Sequence, residues 1–222
     1  MNFKSFLLSA ALLHSAPVAL AEERTAFEQQ AREIYQTAVE IRTAKGQGKT
    51  PELVSYLVSE LKAAGFKDAD IRITDHDIDG EHVQDLMVWY RAEGTPKQAP
   101  IVLLAHMDVV DALPDTWTRF PFELIEEDGY FFGRGTADNK YGVTSLVATF
   151  LRLKAEGFKP DRDLVLALSG DEETGMISTR AQAQYTAENI KPAYALNADA
   201  GGLSLDKDGK VLFYGLQSAE KT

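Results

Sequence analysis

The sequence contains no cysteine. Disulfides, thiolate metal sites and cysteine nucleophiles are therefore excluded, and the fold must rest on its packed core. Histidine is scarce as well: His14, His76, His82 and His106 are the only four, and none follows His106. Any metal site must draw mainly on carboxylates. Positive charge is also in short supply, with 23 Lys and Arg against 34 Asp and Glu and a formal net charge of −11. Such a surface repels nucleic acid and anionic lipid, which argues against both as partners.

A long apolar run is missing too. The N-terminal stretch Phe6–Leu13 is short and is followed by His14 and Pro17. With the basic Lys4 before it and Ala19–Ala21 after it, it has the three-part pattern of a secretory signal peptide rather than a membrane anchor. Residues 1–21 are expected to be removed between Ala21 and Glu22, giving an exported protein, periplasmic or secreted, with no membrane attachment. That cleavage leaves 22 basic against 34 acidic side chains, a formal charge of −12. Residues 22–222 suffice for one α/β domain with a real core, and contain no internal repeat or linker.

The chain then reads as alternating helices and strands. Apolar residues spaced three and four apart predict a helix over Glu22–Ala44. Thr50-Pro51-Glu52 predicts the capped start of a second, ending at Gly65. Residues 71–74 and 85–92 predict strands around DHDIDG. That turn matches part of a calcium loop, but Leu86 stands where a bidentate Glu is required, so an Asp-Gly hairpin is expected. Residues 101–105 and 163–169 are continuous apolar runs, as in strands buried on both faces. Helices are expected over Asn139–Glu156 and Ser178–Asn189, and strands over residues 193–197 and 210–215. The alternation predicts a layered α/β domain with a mostly parallel sheet.

Four segments concentrate reactive side chains: LLAHMDVV, GRGTADNK, SGDEETG and LNADAGG. Three follow predicted strands, at the edge of an open sheet where sites form, and the fourth is a loop free to reach them. His106, Asp138, Glu173 and Asp199 are nitrogen and oxygen donors suited to zinc. Asp108 lies two residues from His106, so on an extended chain its carboxylate faces the same way and can hold the second imidazole nitrogen. Glu172 need not ligate and could act as general base toward a metal-activated water. Alone, each piece has a plainer use. Asp138 could cap the following helix, Asp199 could be a turn residue, and paired acids after a strand are often a solvated loop.

Together, AHMDVV, the block from Trp117 to Lys140, GDEETG and NADAGG resemble the co-catalytic di-zinc exopeptidase and deacylase family. That family includes glutamate carboxypeptidase, acetylornithine deacetylase and succinyl-diaminopimelate desuccinylase. The resemblance covers roughly residues 100–202. It implies a three-layer α/β/α catalytic domain with a mixed, mostly parallel sheet. It also implies His106 and Asp199 on one zinc, Glu173 on the other, and Asp138 bridging both, with a cis peptide after it. Asp108 would support His106, Glu172 would be the general base, and Asp171 would be structural. The substrate would be a peptide or an N-acyl amino acid.

The family's downstream histidine ligand and its lid and dimerisation domain have no counterpart here. The chain is therefore expected to be the N-terminal portion of the catalytic domain, holding one zinc well and weakly active alone. The missing half, or a homodimer partner, would complete the enzyme. A non-catalytic metal-binding remnant or half of a split enzyme is the alternative; the intact Glu172–Glu173 pair counts against the remnant, because a retired site has no need of a base. Trp117, Phe120 and Phe122 could line the cleft, but core packing is the expected use of most of them.

Overall fold

The computed structural model describes residues 23–199, 202–215 and 218. The expected signal segment, residues 1–21, lies outside them. No helix among the described residues is long and apolar enough to cross a membrane.

Helix α1 spans Ala26–Glu40 and starts later than its apolar spacing suggests, because Thr25 and Glu28 form a reciprocal capping box. It buries Ile34, Tyr35, Ala38 and Val39. Helix α2 spans Thr50–Ala63, with Pro51 in its first turn. Lys49, not Thr50, occupies the cap position. The Thr50 hydroxyl instead accepts from the Gln84 amide at 3.1 Å, tying the helix start to the neighbouring sheet.

Strands β1 (Ile71–Ile78) and β2 (Glu81–Tyr90) form an antiparallel hairpin in full register. Its turn residues Asp79 and Gly80 have φ of +55° and +82°, the positive values that a two-residue Asp-Gly hairpin requires. The acids that mimicked a calcium loop are used locally. Asp77 accepts from the Gly80 amide, Asp79 pairs with Lys45, and Asp75 meets His82 and Gln84.

The remaining elements are β3 (Ile101–His106), β4 (Ile125–Glu127), β5 (Tyr130–Phe132), α3 (Tyr141–Ala155), β6 (Leu164–Ser169), α4 (Ile177–Tyr185), β7 (Tyr194–Asn197), β8 (Gly202–Leu205) and β9 (Val211–Gly215). The main sheet has the order β1-β2-β6-β3-β7. It is mixed: β3 pairs in parallel with β6 and β7, whereas β2 pairs antiparallel with β1 and β6. The parallel half comes from the continuous apolar runs, and the antiparallel half from the hairpin. The pairs β4–β5 and β8–β9 are separate two-stranded ribbons, and neither β4–β5 nor β8 was expected from the sequence.

Period-two alternation divides the sheet into two packed faces. Leu86, Val88, Leu166 and Leu168 face α1, α2 and α3, in a core that includes Ile34, Leu57 and Phe150. Met87, Val102, Val165 and Ala167 face the other way, toward Tyr185 of α4 and Ile190. The result is the α/β/α layering that the resemblance implied. Fully burying each such Leu, Val or Phe side chain contributes roughly 1.5–3 kcal/mol. Of the three aromatics expected in the core, only Phe122 is buried. Trp117 and Phe120 lie on the surface, where Trp117 stacks beside Arg134.

Candidate active site

The site is assembled at the carboxyl ends of β3, β6 and β7. His106 is the last residue of β3, and the strand pairing carries on one step through the Met107 amide to the Ser169 carbonyl, 2.7 Å. Its imidazole is buried. Nδ1 lies 3.0 Å from the main-chain oxygen of Asp108, so this nitrogen carries a proton to donate. Nε2 faces outward, 2.9 Å from Asp138 Oδ1, 3.7 Å from Asp199 Oδ1 and 4.0 Å from Glu172 Oε2.

Asp108 does more than the sequence indicated. Its Oδ1 lies 3.4 Å from His106 Nδ1, beyond a good hydrogen bond, so the main-chain oxygen is the closer partner. Its two carboxylate oxygens instead accept from the amides of Glu172 and Glu173, at 2.9 Å each. One buried carboxylate thus links the β3 end to the acidic turn after β6.

The neighbouring Asp171 is buried and faces away from the cluster. It accepts from the amides of Ile177 and Thr179 and from the Ser178 hydroxyl, fastening the start of α4 to the turn. This is the structural role expected for it. Gly170 admits no side chain: a Cβ there would sit 2.6 Å from the Gln84 carbonyl oxygen, a main-chain atom of β2. Gly170→Ala is expected to lower stability by about 1–3 kcal/mol, because strand and turn must part to admit the methyl group. Urea unfolding of the two proteins tests this, and an unchanged midpoint would show the contact to be soft.

Asp138 reaches the site from the Gly-rich loop. It does not cap α3, whose cap position falls on Lys140; its own backbone is extended (φ −127°, ψ 101°), and the peptide to Asn139 is cis as the resemblance implied. The loop is held by the Tyr35 hydroxyl of α1, which donates to the Thr136 carbonyl at 2.6 Å. It is also held by close packing at Gly135, where a Cβ would lie 2.5 Å from Val109 Cγ1. Two residues on, Lys140 is fully buried and donates to Thr43 Oγ1 at 2.7 Å. Burial pushes its ammonium down to about 7, opposed by the charge of Asp108. Sequence reading passed over Lys140, as a lysine in a helix start gives no sign of burial. On β7, the Ala198 amide continues the pairing to the Leu104 carbonyl, which carries Asp199 to the rim.

The electrostatics favour a bound cation. Burial lowers the His106 pKa, but the close carboxylate of Asp108, then those of Asp199 and Asp138, outweigh it and raise the value to about 9. Burial raises Glu172 and Glu173, and neighbouring carboxylates add to the shift. The donor atoms form two groups, His106/Asp138/Glu173 and His106/Glu172/Asp199, each within 4.8 Å and able to hold a metal ion. His106 is common to both and is their only nitrogen donor. His76 and His82 are engaged in the hairpin, with Asp85 and Asp75. One imidazole among carboxylates is a donor set that suits zinc.

Residues 102–211 match the family model described as Peptidase family M20/M25/M40. This chain carries a peptidase M20 family domain. Among curated proteins it is 33% identical over 131 residues to the human N-fatty-acyl-amino acid synthase/hydrolase PM20D1, covering 58% of this chain and 26% of that protein. It is 45% identical over 78 residues to a probable succinyl-diaminopimelate desuccinylase of Staphylococcus aureus, covering 34% of this chain and 20% of that protein. Among solved structures, the M20 domain resembles the di-peptidase Dug1p of Saccharomyces cerevisiae, with a TM-score of 0.68, 20% identity and coverage of 82% of this chain and 40% of that one. It likewise resembles the M20 family metallo-carboxypeptidase Sso-CP2 of Sulfolobus solfataricus, with a TM-score of 0.65, 19% identity and coverage of 81% and 39%. The chain thus spans about a quarter or less of the curated relatives' length. The two structural likenesses establish the shared fold.

Proposed function

We propose that this M20 domain belongs to a zinc-dependent hydrolase of peptide or N-acyl amino-acid amide bonds. The observation that carries the reading is the convergence of one buried imidazole and four carboxylates at three strand ends, His106 with Asp138, Glu172, Glu173 and Asp199. His106, Asp138, Glu173 and Asp199 would hold zinc, which when bound supplies Lewis acidity toward a scissile carbonyl. Glu172 is the general base. Its carboxyl is shifted up by burial and by the surrounding acids, toward the range in which it can accept a proton from the attacking water and return it to the leaving amine. Asp108 holds the amides of Glu172 and Glu173 and so orients both.

Because His106 is the only nitrogen donor in either group, we expect this chain to bind one Zn2+ ion tightly per molecule and a second weakly. Calorimetric titration of the metal-free protein measures this directly, and two equally tight sites would contradict it. The functional test is hydrolysis of a panel of dipeptides and N-acyl amino acids by the protein carrying this domain. Chelator is expected to abolish turnover and added Zn2+ to restore it, and hydrolysis that survives chelation would overturn the reading. We propose export on the strength of the N-terminal pattern. A mature N-terminus at Glu22 would support it, and retention of residues 1–21 would not.

A further inference from the structure

The turn that carries Glu172 and Glu173 hangs between two buried carboxylates. Asp108 holds its distal amides. On the near side, Asp85 of β2 is 2% exposed and accepts from the Gly170 amide through Oδ1 at 2.9 Å. Its other oxygen, Oδ2, lies 3.0 Å from His76 Nε2 on β1. The register explains the position: Leu86 pairs with Leu168, so Asp85 stands beside the end of β6, where the turn begins. The close approach of Gly170 to Val83 and Gln84 leaves no slack between strand and turn. None of the four reactive segments includes Asp85, and a charged group in a buried strand is costly unless it is held by partners.

We infer that Asp85, anchored by His76, is a positioning residue that sets the backbone of the acidic turn and thereby the placement of Glu172 and Glu173. It touches neither of their side chains and acts through Gly170. With Asp108 on the far side, the turn is fixed at both ends, and loss of either carboxylate frees two neighbouring acids to repel each other and the rest of the cluster. The inference rests on the proposed use of Glu172 and Glu173 at the metal site.

The test uses Zn2+ alone as the probe and the full chain as the protein. Asp85→Ala is expected to weaken Zn2+ binding about 10–100-fold, the range typical of groups that orient metal ligands. Amide exchange at residues 170–173 should quicken in the same variant. Asp85→Asn keeps an oxygen for the Gly170 amide and offers an amide hydrogen to His76 Nε2. It is expected to restore Zn2+ binding to within about threefold of wild type, a rescue that simple core damage would not show. A folded Asp85→Ala protein that binds Zn2+ within about twofold of wild type overturns the proposal. Should Asp85→Ala fail to fold, His76→Phe decides. It removes the anchor from a strand at the sheet edge, and is expected to weaken Zn2+ binding at least about threefold, with unchanged binding counting against us. Glu173→Gln tests the underlying reading separately. If neither its tight nor its weak Zn2+ binding differs from wild type, the site assignment fails. If it loses Zn2+ while folded Asp85→Ala retains it, only the positioning role fails.

Discussion

Glu172→Gln is expected to cut turnover by about a hundred- to ten-thousand-fold while leaving Zn2+ binding close to wild type. The substitution keeps the size and hydrogen-bonding reach of the side chain and removes only its capacity to take a proton. The main-chain amide of residue 172 would still donate to Asp108, so the turn and the neighbouring Glu173 should stay in place. The measurement is kcat on the best substrate of the panel, paired with Zn2+ titration of the same protein. The geometry makes this a sharp test, because Glu172 also falls within one of the two groups able to hold a metal, with His106 and Asp199. Parallel loss of metal and activity would make Glu172 a ligand and not the base. Retained metal with lost turnover would leave proton transfer as its role.

His106→Ala is the second large effect. Both metal-competent groups require this imidazole, so the substitution should weaken Zn2+ binding by more than about a hundredfold. It removes the sole nitrogen donor and leaves a cluster of carboxylates with no cation to separate them. Binding to the wild-type protein should also depend on pH. Metal-free His106 keeps its proton up to about 9, and the metal needs the unprotonated Nε2. The one Zn2+ that takes Nε2 near neutral pH therefore expels a proton from His106. Apparent affinity should rise by about tenfold per pH unit below that value, and level off above it. Titrations in buffers of different ionisation enthalpy count the protons released. A flat pH profile would show that His106 is already neutral before metal binds.

Much of this was legible in one dimension. Continuous apolar runs at residues 101–105 and 163–169 marked the buried strands, because a strand covered on both faces has no polar side to show. Asp79-Gly80 marked the hairpin, because few other pairs accept two positive φ values. The reactive segments were visible because each follows such a strand or a glycine-rich turn, and their order is that of the di-zinc exopeptidase and deacylase family. Local chemistry also ruled out cysteine-based sites from the outset.

Other features needed the folded chain. Asp85 reads as one acid in a strand, and its value lies in a partner 85 residues away, at the Gly170 amide. Lys140 reads as a solvated helix residue, yet it is fully buried against Thr43. The Asp108 carboxylate, which stands beside His106, also accepts from the amides of Glu172 and Glu173, which the parallel pairing of β3 with β6 brings alongside. Thr50 looked like a helix cap and became an acceptor for β2. Spacing and composition report what a residue can do with its neighbours in sequence. Hydrogen bonds between distant strands depend on which strands become adjacent, and that is settled by packing both faces of the sheet at once.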